Sequence, residues 1–464
     1  MDSKHVLKCQ SISYMTAIST GNCLSKIYQS PQVFQILKNV TFTATSGEVH
    51  GILGVSESGK TTLLEALALG AGGEIGGIAM LDNFMLTKRR FNKYCSYVDY
   101  RVSYPESLTV HSLLYFQAQL HLAGSLTSLE IEHRLTELMA MFDIICYATT
   151  SICNLTISAR KRVLTVFELV KDPILTIIDD PISDLSPLSA FQLIYALQFY
   201  AKKFNRIIVA SFRNVRSDIY HLIGTLTYLF YGEVAYSGPT KSLASYFQRI
   251  GYSCPTNENP ASYYLSLITV DKESMERVLE TQNQAMKLVN FKLEFDKENE
   301  ESESAAGSLE LLDSALCAGP KPSILKIFSI LLKRDMAILK SNPGEAIAII
   351  FTFPVIAILF SFFGTLPSAD FQTWLRISTT SFILSILFFS TFSIFCRFFK
   401  SFSSIILLQS TIVGLFFGNY LQVFKWIQYV NPFNYFNSII ISTYIDEVNP
   451  RNCTEYGSMN QLCK

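Results

Sequence analysis

The residues with the clearest chemical role form one run at positions 54–62, Gly-Val-Ser-Glu-Ser-Gly-Lys-Thr-Thr. The spacing G-x-x-x-x-G-K-T is that of a P-loop, whose backbone N–H groups surround phosphate groups. Its glycines permit the tight turn, its lysine reaches the terminal phosphates, and the first threonine offers a hydroxyl to Mg²⁺. A chance match on an ordinary strand, turn and helix is the alternative. The predicted nucleotide-binding residues are Gly54, Val55, Ser56, Glu57, Ser58, Gly59, Lys60, Thr61 and Thr62.

Two carboxylates end an apolar run later in the chain, Leu-Thr-Ile-Ile at 175–178. An acid at the carboxyl end of a buried strand beside a P-loop can hold Mg²⁺, and the next acid can orient an attacking water. Asp179 is therefore the expected metal ligand together with Thr61, and Asp180 is the catalytic candidate. The alternative is a strand that ends in a polar turn before Pro181.

A parallel sheet would bring these two segments together. Strand patterns lie at 34–37, 40–43, 49–53, 95–99 and 206–211. Residues 226–236 have the pattern of a hairpin that turns at Gly232, and helical patterns lie at 108–122 and 128–141. Strands and helices that alternate around a P-loop predict an α/β fold, here with a helical insertion at about 105–170. Tyr28 and Phe34 precede the P-loop and could stack on a base, with packing in the core as the alternative.

The composition indicates that part of the chain lies in a membrane. Of the 464 residues, 49% are hydrophobic and 16% are charged, and the mean hydropathy is +0.27. The formal net charge is +0, which gives no indication of nucleic-acid binding. The ten cysteines form no C-x-x-C pair, which disfavours a zinc site. Residues 1–10 lack the pattern of a signal peptide, so we expect a cytosolic N-terminal domain.

Three apolar segments in the C-terminal part each approach the ~20 residues of a membrane-spanning helix. They are 346–366, 377–395 and 403–421. Basic residues precede the first segment and separate the second from the third, which predicts that those sides are cytosolic and the C-terminal tail external. In that tail Asn452 could be glycosylated, and Cys453 and Cys463 could form a disulfide. The apolar stretch 426–445 is broken by Asn-Pro and predicts a re-entrant or interfacial element.

These patterns divide the chain into four predicted parts. A cytosolic nucleotide-binding domain covers 1–290, an acidic flexible linker 291–321, an amphipathic connecting helix 322–342, and a transmembrane domain with an external C-terminal segment 343–464. The linker prediction depends on the run Asp-Lys-Glu-Asn-Glu-Glu-Ser-Glu-Ser at 296–304. The connecting helix is predicted from apolar residues at helical spacing that alternate with basic residues.

The domain order and several runs resemble the G subfamily of ABC half-transporters, in particular the sterolin type. These runs are Gln-Ile-Leu-Lys-Asn-Val at 35–40, Tyr-Phe-Gln-Arg-Ile-Gly-Tyr-Ser-Cys-Pro at 246–255, Asn-Pro at 259–260 and Leu-Ser-Leu-Ile-Thr-Val-Asp at 265–271. The resemblance implies an α/β P-loop domain of the ABC ATPase type followed by an α-helical transmembrane domain. It also implies ATP and Mg²⁺ as ligands, and a second G-subfamily half-transporter as the partner in a homodimer or heterodimer. Such a dimer would move sterols or other lipids outward across a membrane, expected here to be the plasma membrane.

The chain departs from this family pattern at most residues that act on ATP. The signature segment Ser-Gly-Gly-Glu reads Thr-Ile-Ser-Ala at 156–159, and a branched Ile157 would obstruct the approach to a partner's phosphate. Asp99 replaces a glutamine and is a further metal candidate, Asp180 replaces a glutamate, and Arg213 replaces a histidine as a catalytic candidate. Aspartate is one methylene shorter than glutamate, so it would hold an attacking water less well.

The membrane part departs as well, because the family has six spans and the three recognised here are similar to its first, fourth and fifth. Two functions stay open from the sequence. The first is an ATP-binding half-transporter subunit for ATP-coupled lipid export, in which hydrolysis at its own P-loop is in question. The second is a nucleotide-binding but non-hydrolysing regulatory or scaffold subunit. A product without activity is the third and plainest possibility.

Overall fold

The computed structural model describes residues 4–18, 32–102, 104–270, 274–300, 319–320 and 322–341. Several predicted features lie outside these residues, namely Tyr28, most of the linker, the three spans, the stretch 426–445, and the tail with Asn452, Cys453 and Cys463. Within the described ranges, no helix combines the length and the apolar character needed to cross a membrane.

The strands of the described residues form two sheets. In chain order they are β1 (Val6–Ile18), β2 (Gln32–Thr45), β3 (Val49–Leu53), β4 (Glu74–Leu81), β5 (Phe84–Met85), β6 (Cys95–Val98), β7 (Leu175–Ile178), β8 (Ile207–Phe212), β9 (Thr225–Phe230) and β10 (Glu233–Pro239). The larger sheet has the order β10-β9-β3-β8-β7-β6 and is parallel except for β10. β3, β7 and β8 are buried along their whole length, as expected for a parallel sheet covered on both faces.

The smaller sheet is antiparallel and has the order β2-β1-β4-β5. The runs 34–37 and 40–43, predicted as two short strands, belong to the single strand β2. A bulge at Lys38 and Asn39 makes this possible, because Asn39 adopts a φ of +52° and the register against β1 shifts there. Phe34 lies on the same strand and is 46% exposed, so it does not pack in the core.

The helices complete the α/β domain. They are α1 (Lys60–Leu67), α2 (Lys88–Tyr94), α3 (Val110–Leu122), α4 (Ser128–Met141), α5 (Ile157–Leu169), α6 (Pro187–Phe204), α7 (Ser217–Tyr220), α8 (Leu243–Arg249), α9 (Pro260–Leu267), α10 (Met275–Glu300) and α11 (Ile324–Ser341). The predicted bounds of α4 are confirmed. Its start is fixed by a capping box in which Thr127 and Glu130 exchange side-chain and backbone hydrogen bonds. α3 begins two residues later than predicted because Thr109 caps it.

The helical insertion packs against the sheet through its apolar faces. α3, α4, α5 and α6 share one buried cluster with β3 and β8, whereas α1 and the antiparallel sheet share a second cluster on the other face. The predicted α/β P-loop domain with a helical insertion is thereby confirmed. Its two apolar clusters hold the central strands from both sides, so the residues at the strand ends have fixed positions.

The region after the sheet differs from the prediction in one respect. α10 runs through Glu300, so residues 291–300 of the predicted linker are helical. Glutamate and lysine have high helix propensity, and a charged run therefore extends a helix whose earlier turns, at Leu288 and Val289, are buried. α11 lies within the predicted connecting helix 322–342 and packs against α3, with Ile330 buried and Lys326 Nζ 2.6 Å from the Ala123 carbonyl.

Candidate nucleotide-binding site

The P-loop connects β3 to α1, and the hairpin between β9 and β10 supports it from behind. Gly59 caps α1 with a φ of +96°, a left-handed conformation that glycine adopts without strain. Gly232 at the hairpin tip donates its N–H to the Ser58 carbonyl at 3.0 Å and accepts the Lys38 N–H at 2.8 Å. A Cβ on Gly232 would lie 1.9 Å from the Ile36 carbonyl oxygen, so only glycine fits there. Backbone contacts therefore fix the loop.

Lys60 is the first residue of α1 and points back into the loop. Its Nζ donates to the carbonyl oxygens of Gly54 and Val55, both at 2.7 Å, and to Ser58 Oγ at 3.3 Å. Burial, and after it the nearby Arg213 guanidinium, lowers the pKa of Lys60 to about 8, although the two acids after β7 act in the opposite direction. An ammonium group that rests on neutral carbonyls is available to phosphate oxygens, which accept more strongly because they are charged.

The two residues predicted as metal ligands, Thr61 and Asp179, are in contact. Thr61 Oγ1 donates to Asp179 Oδ2 at 3.0 Å, and Ser211 Oγ donates to Asp179 Oδ1 at 2.7 Å. Since β7 and β8 are neighbouring parallel strands, the residues at their carboxyl ends meet at one edge of the sheet. Hydroxyl and carboxylate oxygens are ligands that Mg²⁺ accepts, so the pair fits this ion.

Ser211 was not among the predicted site residues, although the strand pattern 206–211 ends in it. Besides orienting Asp179, its Oγ accepts the Asp180 N–H at 2.9 Å. A hydroxyl at the carboxyl end of the next parallel strand was the available signal. Ser211 therefore holds both acids after β7 in place.

Asp180 follows Asp179 directly, but its carboxylate contacts Arg213. Arg213 Nε lies 3.0 Å from Asp180 Oδ2, with the guanidinium side chain 72% exposed and the carboxylate side chain 18% exposed. Burial raises the pKa of Asp180, while Arg213 and then Lys161 oppose the rise. The two catalytic candidates are thus brought together as an ion pair. A carboxylate engaged by a guanidinium is a poorer partner for an attacking water than a free one.

Asp99, the further metal candidate, takes a different partner. Its Oδ1 accepts the Arg101 backbone N–H at 2.9 Å and Arg101 Nε at 3.0 Å, and Arg101 also reaches Glu65 at 3.6 Å. Within the ranges that the structure describes, Asp99 forms no hydrogen bond with Thr61 or Asp179. Metal binding by Asp99 therefore stays a prediction that no contact supports.

The altered signature segment forms the start of α5. The Thr156 side chain accepts the Ala159 N–H at 3.3 Å and caps the helix. Ile157 is the first helical residue and is 62% exposed. A glycine there would leave the helix N-terminus open to a phosphate, whereas an exposed isoleucine covers it. The exposure of Ile157 is consistent with the predicted obstruction.

The part of the chain that holds the P-loop is similar to a known family. A family model described as ABC transporter matches residues 37–183. ATP-binding cassette sub-family G member 5 of Homo sapiens is 32% identical over 254 residues, which are 53% of this chain and 39% of that protein. Sub-family G member 8 of Homo sapiens is 27% identical over 322 residues, which are 65% of this chain and 48% of that protein. The chain therefore spans less than half the length of these relatives.

A solved ATP-binding cassette of an ABC transporter in its ADP conformation covers 53% of this chain and 97% of its own length, at 15% identity and a TM-score of 0.43. The P-loop, the Thr61–Asp179 contact and the family match all fall in the same part of the chain. Residues 37–183 are therefore similar to an ABC transporter domain, and the chain is similar over part of its length to ATP-binding cassette proteins of sub-family G.

Proposed function

We propose that this chain binds ATP with Mg²⁺ at 54–62 and serves as one subunit of a dimeric ABC transporter that exports sterols or other lipids. The observation that carries the proposal is the contact between Thr61 and Asp179 beside the buried Lys60. These groups supply the oxygen ligands and the cation that a nucleoside triphosphate with its metal needs. The substrate class comes from the resemblance to the sterolin type.

The chain's own residues divide the binding task between them. Thr61 and Asp179 would hold Mg²⁺, and the metal would neutralise charge on the phosphates. Ser211 keeps the Asp179 carboxylate directed at the Thr61 hydroxyl. Lys60 would exchange its carbonyl acceptors for phosphate oxygens, while Gly59 lets the backbone N–H groups of the loop turn inward.

Hydrolysis at this chain's own P-loop would be slow. Asp180, at the water-orienting position, is shorter than glutamate and contacts Arg213, so the catalytic machinery is engaged in an ion pair. In a dimer, the partner's ATP would face the start of α5, where Ile157 is exposed. Both composite sites of such a dimer would then be weakened, and the partner's residues would have to supply most of the turnover.

The partner in this proposal is a second G-subfamily half-transporter, as a homodimer or heterodimer, with no nucleic acid involved. The N-terminal domain would be cytosolic and the protein a multi-pass membrane protein, expected at the plasma membrane. Glycosylation of Asn452 in a secretory-competent cell tests this orientation. An unmodified Asn452 would leave the three-span arrangement without support.

A non-hydrolysing regulatory or scaffold subunit is the second candidate, and the Asp180–Arg213 ion pair favours it. In that case the chain binds ATP and its partner but does not power transport. ATP would then act as a ligand that stabilises one state of the dimer, because a ligand stabilises whichever state it binds.

The deciding experiment co-expresses the chain with a candidate half-transporter and measures ATP binding and vanadate-sensitive ATPase activity. Lys60→Ala should abolish photolabelling of this chain by an ATP analogue, whereas Lys241→Ala at an exposed position should not. Vanadate-sensitive turnover that needs this chain in a pairing supports the transporter subunit. Photolabelling without turnover in any pairing supports the scaffold. Unchanged photolabelling of Lys60→Ala would contradict both.

A further inference from the structure

A buried lysine joins two segments of the domain that lie far apart in the sequence. Lys161 lies in the second turn of α5 and is 8% exposed. Its Nζ donates to the carbonyl and hydroxyl oxygens of Ser183, the latter at 2.8 Å, and lies 3.5 Å from the carbonyl oxygens of Asp180 and Pro181. One ammonium group from α5 thus contacts three carbonyl oxygens of the loop that follows β7.

That loop needs such support because its backbone is strained. Asp180 and Asp184 have φ values of +46° and +58°, in the left-handed region that residues with a Cβ adopt only at a cost. Further polar contacts hold the first of them, from the Asp180 N–H to Ser211 Oγ at 2.9 Å and from Ser183 Oγ to the Asp180 carbonyl at 3.1 Å. The loop conformation therefore depends in part on two residues outside the loop, Ser211 at the end of β8 and Lys161 on α5.

Lys161 is also tied to the segment after β6. Its Nζ lies 5.1 Å from the centre of the Tyr100 ring, and the Tyr100 hydroxyl is 2.9 Å from Thr165 Oγ1 on the same helix. Burial lowers the pKa of Lys161, while Asp180 and Asp184 oppose this effect, as expected for a cation among carboxylates. The lysine is thus enclosed by an aromatic face on one side and by the acidic loop on the other.

The two segments that Lys161 joins have different roles in the proposed function. The loop 180–184 adjoins this chain's own phosphate site through Asp180, and the start of α5 at 156–159 would face the nucleotide of a partner. A rigid contact between them transmits a shift in one to the other, because packed elements move as discrete bodies.

We propose that Lys161 is a positioning residue that couples the chain's own nucleotide site to the start of α5. ATP at 54–62 fixes the loop 180–184, and Lys161 carries this ordering into the helix that faces the partner. The inference rests on the proposed ATP binding. Coupling of this kind is reciprocal, so a partner that docks on α5 would also raise the affinity of this chain for ATP.

The test is hydrogen–deuterium exchange of the full-length chain with and without Mg-ATP. In the wild-type protein, ATP should slow amide exchange at 54–62, at 180–184 and in the first two turns of α5, 157–164, where we expect a change of at least about fivefold. In Lys161→Met, the slowing should persist at 54–62 and disappear at 157–164. A role in stability alone would lower the melting temperature without removing this ATP-dependent difference.

The matched control is Lys171→Met. Lys171 lies just after the same helix and pairs with Glu168. The variant should behave as the wild type. If Lys161→Met does not fold, Lys161→Gln replaces it, because a neutral and shorter side chain should lose the coupling in the same way.

Two results would overturn the coupling while leaving ATP binding intact. One is protection at 54–62 without protection at 157–164 in the wild type, and the other is full protection at 157–164 in the folded Lys161 variant. Absence of protection at 54–62 in the wild type would instead remove the proposed ATP binding, and the coupling with it. The failure of each proposal therefore has its own signature.

Discussion

Two regions at the same edge of the central sheet differ in how far they match the chemistry expected of them. The holding region, 54–62 with Asp179, has its glycine turn, its lysine and a hydroxyl–carboxylate pair in contact. The cleaving region, Asp180 and Arg213 with the start of α5, has an ion pair and an exposed isoleucine instead. Under the proposed function, binding and cleavage of a nucleotide would therefore be separable, although Asp179, Asp180 and Arg213 follow adjacent strands of the sheet.

The physical reason is that phosphate is held mainly by the backbone, whereas its cleavage needs particular side chains. Holding phosphate depends mostly on backbone N–H groups, and the backbone of the loop is fixed by the β9–β10 hairpin and by β2. Cleavage depends on the length and charge of single side chains placed within a fraction of an ångström. Substitutions can therefore change the second task while the first survives.

The first prediction tests whether backbone packing carries the holding region. Gly232→Ala places a Cβ against the Ile36 carbonyl at a φ of +83°, so we expect the free energy of unfolding to fall by about 3 kcal/mol and ATP affinity to fall with it. Thermal unfolding and ATP titration measure both. Gly72→Ala is the control, since nothing lies within 4 Å of its Cβ. Equal effects of the two variants would mean that the hairpin does not support the loop.

The second prediction separates the two metal candidates. Asp179→Asn removes the charge next to Thr61. We therefore expect the ratio of ATP affinity with Mg²⁺ to ATP affinity without it to be about tenfold to a hundredfold smaller in this variant than in the wild type. Asp99→Asn should leave the Mg²⁺ effect nearly unchanged, because Asp99 is paired with Arg101. ATP titrations with Mg²⁺ and with a chelator give the comparison. The opposite ranking of the two variants would move the metal site to Asp99.

The third prediction asks whether the cleaving region alone limits turnover. The double change Asp180→Glu with Arg213→His removes the ion pair and lengthens the acid, so we expect ATP turnover with a partner to rise about tenfold at unchanged ATP affinity. Steady-state ATPase assays of the dimer measure this. Arg216→His, which alters an arginine paired with Asp218, should change neither value. A variant that binds ATP more weakly without faster turnover would show that the two regions are not independent.

The sequence predicts the parts of this domain that depend on local patterns. The strand before the P-loop and the bounds of α4 agree with the prediction, because a short strand pattern directly before a P-loop and a helical pattern that starts at a capping box are local signals. Parallel strands also place their carboxyl ends at one edge, so the meeting of Thr61 and Asp179 follows from the fold class.

The rest depends on contacts between distant segments. The pairing of Asp180 with Arg213 and the burial of Lys161 among carbonyls join residues that no periodicity relates. The bulge that makes β2 one strand is similar, because Lys38 and Asn39 resemble a turn until the register against β1 is known. Side-chain roles at the cleaving region were therefore the least predictable part of the site.

The fourth prediction concerns the pH dependence of ATP affinity, where we expect the smallest effect. The pKa of Lys60 is lowered to about 8 in the free protein, whereas bound phosphates would favour the charged lysine and raise it. Above about pH 8 the free site has lost the proton that the complex requires, so binding takes up a proton and ATP affinity falls by up to about tenfold per pH unit. Calorimetry in buffers of different ionisation enthalpy measures the proton uptake.

The stability of the free protein should change in the opposite direction over the same range. Between about 8 and the ordinary lysine value of 10.5, the unfolded chain keeps the Lys60 proton and the folded chain has lost it. Stability rises with pH wherever the unfolded state binds more protons, so the wild type should gain melting temperature relative to Lys60→Met as the pH increases. If ATP affinity falls with pH while this relative melting temperature rises, both effects are due to the titration of Lys60 in the holding region. Parallel trends would assign the titration to another group.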